Sequence, residues 1–359
     1  MAVQKTDQTD PEAAEGMLEE IEFGEIQKMV DELLGEQSFS LKEAVINMIN
    51  GEEPISKEAV RGVLYSFFFS GLENEKTLFF RLLLLVLLAA VLAGFVDVFE
   101  NGQIGAVSFY VVYLVLFMML MEAFGRLSST LTVRLNWLGE FMKTLAPAYF
   151  LAVSTANGVS TAAVFYEGVL LLVWMIQWVL VNFLLPGVNL CILLKMVNYL
   201  SKEEMLSKMS ELLEVVISWA LKTLIGLAVG LQVVKNLVAP VMDSLKRTAV
   251  GKTAGAIPGI GNAVNAITQL ILTSAVLVRN SFGAVILVLI AAAGLQPLIH
   301  YGALSLSYRF LAALAQPVSD KRIVGALSTM GEGCAWLLKL LLTAQILCML
   351  AFLVLMAGG

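Results

Sequence analysis

Four polar side chains, Asn262, Asn265, Gln269 and Thr273, recur three and four positions apart in an otherwise apolar stretch. That spacing puts them on one face of a helix. Amides and hydroxyls facing hydrocarbon lose their hydrogen bonds, so the stripe is expected to face protein or water, either gluing a neighbouring helix or lining a conduit. Just before it runs Gly251-Lys-Thr-Ala-Gly255-Ala-Ile-Pro258-Gly259-Ile-Gly261. Glycines four apart signal close helix contact in an apolar setting. Pro258 interrupts them, so Gly251, Gly255, Pro258, Gly259 and Gly261 read as a hinge that starts a new helix. Lys222 lies inside the apolar run 215–234, beside Gly226-x-x-x-Gly230, and is expected either to pack against a partner or to face a cavity. His300, the single histidine, stands at the end of the run 282–299 as a pH-sensitive group.

Other chemistry has less to stand on. Gly251-Lys252-Thr253 matches the end of a phosphate-binding loop, but Lys246 occupies the place of the glycine that the backbone cradle needs. No second metal ligand is spaced to serve His300. Cys191, Cys334 and Cys348 lie singly in apolar runs, where packing is the expected role. No Ser-His, Ser-Lys or paired-Asp motif points to an intramembrane protease. The sequence assigns no catalytic, cofactor-binding or metal-binding residue, and the chain is expected not to be an enzyme.

The elements that must position these groups belong to a membrane protein. Hydrophobic residues make up 58% of the chain and charged residues 14%, against about 45–50% and 25% in an average soluble domain. Residues 1–77 hold 6 Lys+Arg and 17 Asp+Glu, while the remainder holds 17 and 12. An acidic, water-soluble head therefore precedes a mildly basic membrane body. Basic residues are scattered singly between apolar runs, which excludes a nucleic-acid-binding face. The start, Met-Ala-Val-Gln-Lys-Thr-Asp, has no apolar core of an export signal.

The chain divides into an acidic tail expected to be disordered (1–20), a small helical head (21–77), a first membrane region (78–234) and a second (235–359) with its hinge at 251–261. The head carries three short helical patterns closed by Gly35, Gly51 and Gly71, and Ser40-x-x-Glu43 is a capping box. Apolar runs at 78–96, 104–121, 168–194 (broken at Pro186-Gly187), 215–234, 282–299, 301–315 and 336–356 come near the ~20 residues that cross a bilayer. Between them, Leu127, Leu131, Leu135, Leu138, Met142 and Leu145 form a seam at helical spacing, expected on an amphipathic helix that continues to about Asn157 with a kink at Pro147. A second amphipathic helix is expected after Ser201. The fold class is all-α: a polytopic membrane protein of about seven spans, with amphipathic interfacial helices and the small head. Lys and Arg near 122–136 and 195–210, absent near 97–103 and 157–168, place the head and the basic connections together in the cytoplasm.

The second half carries a combination of short motifs. Ile257-Pro258-Gly259-Ile260-Gly261, Arg279-Asn280-Ser-Phe-Gly283, Pro297-x-x-His300, Tyr308-Arg309, Gln316-Pro317 and Asp320-Lys321-Arg322 together resemble stage III sporulation protein AE of endospore-forming bacteria. The resemblance implies a subunit of the mother-cell membrane around the forespore. It would belong to a channel or feeding-tube complex that sustains forespore development and late forespore gene expression. Its implied partners are the other membrane and ring-forming subunits, a cytosolic ATPase and a forespore protein. It also implies an export signal and a head between the two membranes, opposite to what the basic connections suggest, and a lysine where His300 stands. A passive scaffold for ring and ATPase, or a self-contained small-solute transporter, are the alternatives.

Overall fold

The structure, a computed structural model, describes residues 24–34, 39–51, 102–157, 159–200, 206–251 and 261–357, with a few isolated positions before residue 88. Within these helices the side chains of 102–109, 151–166, most of 231–251 and 261–272 are not described. The head supplies α1 (Gly24–Leu34) and α2 (Leu41–Ile49). Ser40 caps α2 as its motif requires, accepting the Glu43 N–H at 3.3 Å, and Gly51 closes it with φ +79°. Gln27 fastens the pair by donating to the Phe39 carbonyl at 2.6 Å and accepting the Leu41 N–H at 2.8 Å. The third head pattern lies outside the described residues, as does the run 78–96 apart from isolated positions.

The body consists of α3 (Gly102–Asn157), α4 (Val159–Val179), a π-turn (Leu180–Leu184), α5 (Leu185–Asn198), α6 (Ser207–Gly251), α7 (Gly261–Ala315) and α8 (Lys321–Ala357). Among the described residues there is no strand. Five helical stretches are long and apolar enough to cross a membrane: Tyr110–Phe150, Glu167–Asn198, Ser207–Gly230, Thr273–Ala315 and Lys321–Leu353. They alternate in direction, α3, α6 and α8 running one way and α4–α5 and α7 the other.

Three breaks read from the sequence are absent. The run 104–121 and the amphipathic seam belong to one helix of 56 residues, which Pro147 does not end. Tyr113, Leu116, Leu120 and Phe124 are buried on the same face as Leu127, Leu131, Leu135, Leu138, Met142 and Leu145. A continuous apolar face holds the helix together, and the charges of 122–143 do not interrupt it. At Pro186 the chain passes through the π-turn, where the Leu185 N–H reaches back five residues to the Leu180 carbonyl. The wider turn takes up the missing donor of proline without stopping the helix. The runs 282–299 and 301–315 join through His300, with Pro297 inside α7.

Merging the two halves of α3 removes one turn, and the orientation inferred from loop charges changes with it. Phe23 of the head meets Phe282 edge-on, 5.6 Å between ring centres, and Phe282 stacks on Tyr149, which touches Phe352 near the end of α8. The basic connection after α5 lies at the other end of the bundle, where Tyr199 abuts Gly325 near the start of α8. The head and that connection therefore occupy opposite ends.

Helix α8 is the hub. It packs on α3, α4, α5, α6 and α7, and Leu337, Leu340, Leu341, Leu347 and Phe352 are buried. In lipid, apolar surface has no water to escape, so close packing must hold helices together. Gly333 lets Phe124 and Ile192 approach, and Gly331 lies against the backbone of Ser305, whose hydroxyl donates to the Gly331 carbonyl at 2.7 Å. A methyl on Gly331 would stand 3.0 Å from the Ser305 carbonyl oxygen, an atom that cannot turn aside. Gly331→Ala is therefore expected to destabilise the detergent-solubilised protein by about 1–3 kcal/mol. Gly226→Ala, whose new methyl meets nothing within 4 Å, should be neutral or stabilising by about 1 kcal/mol. Thermal unfolding of the two variants side by side checks the contrast.

Candidate functional site

Three apolar runs end at one level of the bundle. Lys195 closes 168–194, Glu214 precedes 215–234, and Glu332 comes one turn before 336–356. The bundle brings the three together: Lys195 Nζ donates to Glu214 Oε1 at 2.5 Å and to Glu332 Oε2 at 2.8 Å. Their side chains are 21%, 29% and 40% exposed respectively, so the layer is partly hydrated rather than sealed. One cation thus binds α5, α6 and α8 where apolar sequence gives way to polar sequence. Beside it α5 is pinned to α6 and to α3 through backbone acceptors: Cys191 Sγ lies 3.5 Å from the Ser210 carbonyl, and Tyr113 Oη of α3 donates to the Met196 carbonyl at 2.6 Å.

Beside this layer, α6 and α8 enclose an open groove of about 690 Å³, lined by Glu211, Glu214, Val215, Ser218, Trp219, Lys222, Trp336 and Lys339. Lys222 is exposed and lies on its wall. Lys339 Nζ stands 4.2 Å from the centre of the Trp336 ring, a cation–π contact. Glu214 is neutralised by Lys195 and Glu211 by Lys208 at 2.9 Å, whereas neither Lys222 nor Lys339 forms an ion pair among the described residues. Two ammonium groups between tryptophans near the end of apolar segments can accept an anionic group at a membrane boundary.

Lys222 apart, the groups singled out from the sequence do not line this groove among the described side chains. His300 is half-buried on α7, its ring edge-on to Tyr301 at 5.6 Å, and Tyr301 Oη donates to the Leu127 carbonyl of α3 at 2.9 Å. Asn262, Asn265, Gln269 and Thr273 share α7, on the part preceding Gly283, which meets Met356 close to the end of α8. Thr273 is exposed, while the other three side chains are not described. Gly251 ends α6 and Gly261 begins α7; Gly255, Pro258 and Gly259 lie outside the described residues. Among the described residues no three His, Cys, Asp or Glu side chains cluster as a metal site, and all three cysteines are buried thiols.

The ionic layer went unrecognised in the sequence because its members are 19 and 137 residues apart along the chain. The signal that could have found it is positional: charges of opposite sign at the ends of apolar runs that alternate in direction fall on one membrane boundary.

Comparison with known proteins gives a concordant result. The family model for stage III sporulation protein AE matches residues 39–359. The chain is 22% identical over 321 residues to stage III sporulation protein AE of Bacillus subtilis (strain 168), covering 89% of this chain and 80% of that protein. No solved structure matches it.

Removing the central cation should hurt more than removing either acid. Lys195→Met leaves two carboxylates facing each other without a cation, a loss of about 1–3 kcal/mol once the values for buried pairs are reduced for partial exposure. Glu214→Gln or Glu332→Gln leaves one pair intact and should cost about 1 kcal/mol or less. Thermal unfolding in detergent at low and high salt measures the order, which should compress as salt rises.

Proposed function

Because the chain belongs to the stage III sporulation protein AE family and so has a role in sporulation, we propose that it is a membrane subunit of the channel complex joining mother cell and forespore. It would lie in the mother-cell membrane that surrounds the forespore. The observation that carries this reading is a family match spanning the whole membrane body. The body is a bundle of helices able to cross a bilayer, with a folded head docked at one end and the basic connection after α5 at the other. By the positive-inside tendency the connection after α5 faces the mother-cell cytoplasm. The head then faces the space between the membranes, where ring-forming subunits and a forespore protein are within reach, and the basic end faces a cytosolic ATPase. No catalytic step belongs to this reading.

A scaffold role is the second reading, favoured by the docked head, which joins an acidic soluble surface rigidly to the bundle through Phe23 and Phe282. The stripe separates the two. If the chain takes part in conduction, the double variant Asn265→Leu, Gln269→Leu should accumulate and co-purify with its companions while forespore development stops as in a null strain. A scaffold predicts loss of co-purification instead. A null strain that completes forespore development normally would overturn both readings. Head placement is measured separately with Ser38→Cys in cells expressing the full chain: labelling by an impermeant thiol reagent before permeabilisation is expected, and protection would put the head in the cytoplasm.

A further inference from the structure

Among the described residues, the outer face of α3 is a long helix face poorly suited to lipid. Contacts of Phe124 with Gly333 and of Tyr149 with Phe352 lay residues 124–149 of α3 alongside 333–352 of α8. This is the level at which the other helices are most apolar. At that level α4 exposes Leu171, Trp174 and Trp178, α7 exposes Val288, and α8 exposes Leu342 and Ile346. These are side chains suited to acyl tails. Helix α3 instead exposes Arg126, Ser129, Thr130, Val133, Asn136, Glu140 and Lys143. Opposite them, the Leu127–Leu145 seam is buried.

The exposed residues form a lane about 25 Å long at 1.5 Å per residue, close to the thickness of the hydrocarbon core. Arg126 and Lys143 stand towards its two ends, where long side chains can snorkel to head groups. Asn136 cannot be explained in that way, because it lies well inside the lane with a short side chain, and Glu140, one turn inside Lys143, is too short to reach head groups as easily. Asn136, itself exposed, accepts at Oδ1 from Gln177 Nε2 of α4 at 3.2 Å. Thr130 satisfies its hydroxyl on the Arg126 carbonyl of its own helix. Glu140 and Lys143 form no ion pair among the described residues. A dry contact with another protein would have to supply a counter-charge for each of them, and lipid could supply none. Water leaves them solvated.

We propose that the exposed face of α3 from Arg126 to Lys143 is one wall of a water-filled path through the membrane. Charges of both signs along it suit small polar or ionic solutes without strong selection by sign. The remaining wall lies outside the described residues of this bundle. This deepens the channel reading above and rests on it for what completes the path, while the poor fit of this face to lipid is read from the described helices themselves.

The test uses the full-length chain in native membranes with single cysteines at Ser129, Asn136 or Glu140. Leu171→Cys and Ile346→Cys serve as lipid-facing controls, and Val318→Cys in the turn after α7 as the solvent control; the chain's own buried thiols set the background. In permeabilised membranes a charged, impermeant methanethiosulfonate should modify the lane cysteines within about tenfold of the Val318→Cys rate. The lipid-facing controls should be slower by about a hundredfold or more, because the reactive thiolate forms in water and not in hydrocarbon. Lane cysteines as inert as Leu171→Cys overturn the proposal. So do lane cysteines that are inert yet join directly to a neighbouring chain on mild oxidation, since that marks a dry contact. Forespore development of the null strain is scored independently, so an inert lane in a strain that needs the protein removes the lane and leaves the channel reading standing.

Discussion

Everything in the bundle hangs on the approach of α7 to α8 at Gly331. In a bilayer there is no gain from hiding apolar surface that lipid already covers, so helices associate through contact quality. At this crossing the Ser305 hydroxyl reaches the Gly331 carbonyl, and the Arg309 side chain lies across the same glycine. Fixing these two antiparallel helices there fixes the level of everything else that touches α8, from Tyr199 at its start to Phe352 near its end.

The same constraint explains the polar contacts in the core. Tyr113, Tyr301 and Ser305 each send a hydroxyl to the carbonyl of another helix, and Gln345 does so with its amide to Ile290. Each is a donor that would be stranded in hydrocarbon without that acceptor, and each acceptor is a helix carbonyl with a spare lone pair. Glycine makes room for the larger groups: Gly294 beneath Gln345, Gly139 beneath Gln177. Small residue and polar side chain therefore come as pairs across an interface, and α8 carries members of both kinds.

What the sequence reveals depends on how local the physics is. Capping at Ser40 involves residues three apart and was readable without the fold. So were the Leu127–Leu145 seam, which is buried throughout, and the all-helical class. Breaks were misread because a charge run such as 122–126 looks the same in a loop and on the outer face of a continuing helix. Only the buried face, formed by contact with α7 and α8, decides between them. Pro186 was misread for a related reason: a proline removes one donor, and whether the chain stops or widens by one residue depends on the helices packed around it. The ionic layer was out of reach because Lys195, Glu214 and Glu332 meet only after three segments have been set antiparallel or parallel at the correct height. Lys222 was located but not resolved in role, its surroundings being supplied by Trp336 and Lys339 from α8.

Apolar content along α3 is out of step with its neighbours. Its most hydrophobic turns, around Val111, Leu114, Val115 and Met118, are exposed and precede the stretch that runs beside the apolar part of α8, where α3 turns amphipathic. Selection for solubility in lipid alone would slide the apolar turns into line, since each exposed charge at membrane depth is costly. The offset leaves the polar face of α3 as the described surface of the bundle least suited to acyl chains, while its apolar leading end lies beyond the level at which α8 is most apolar.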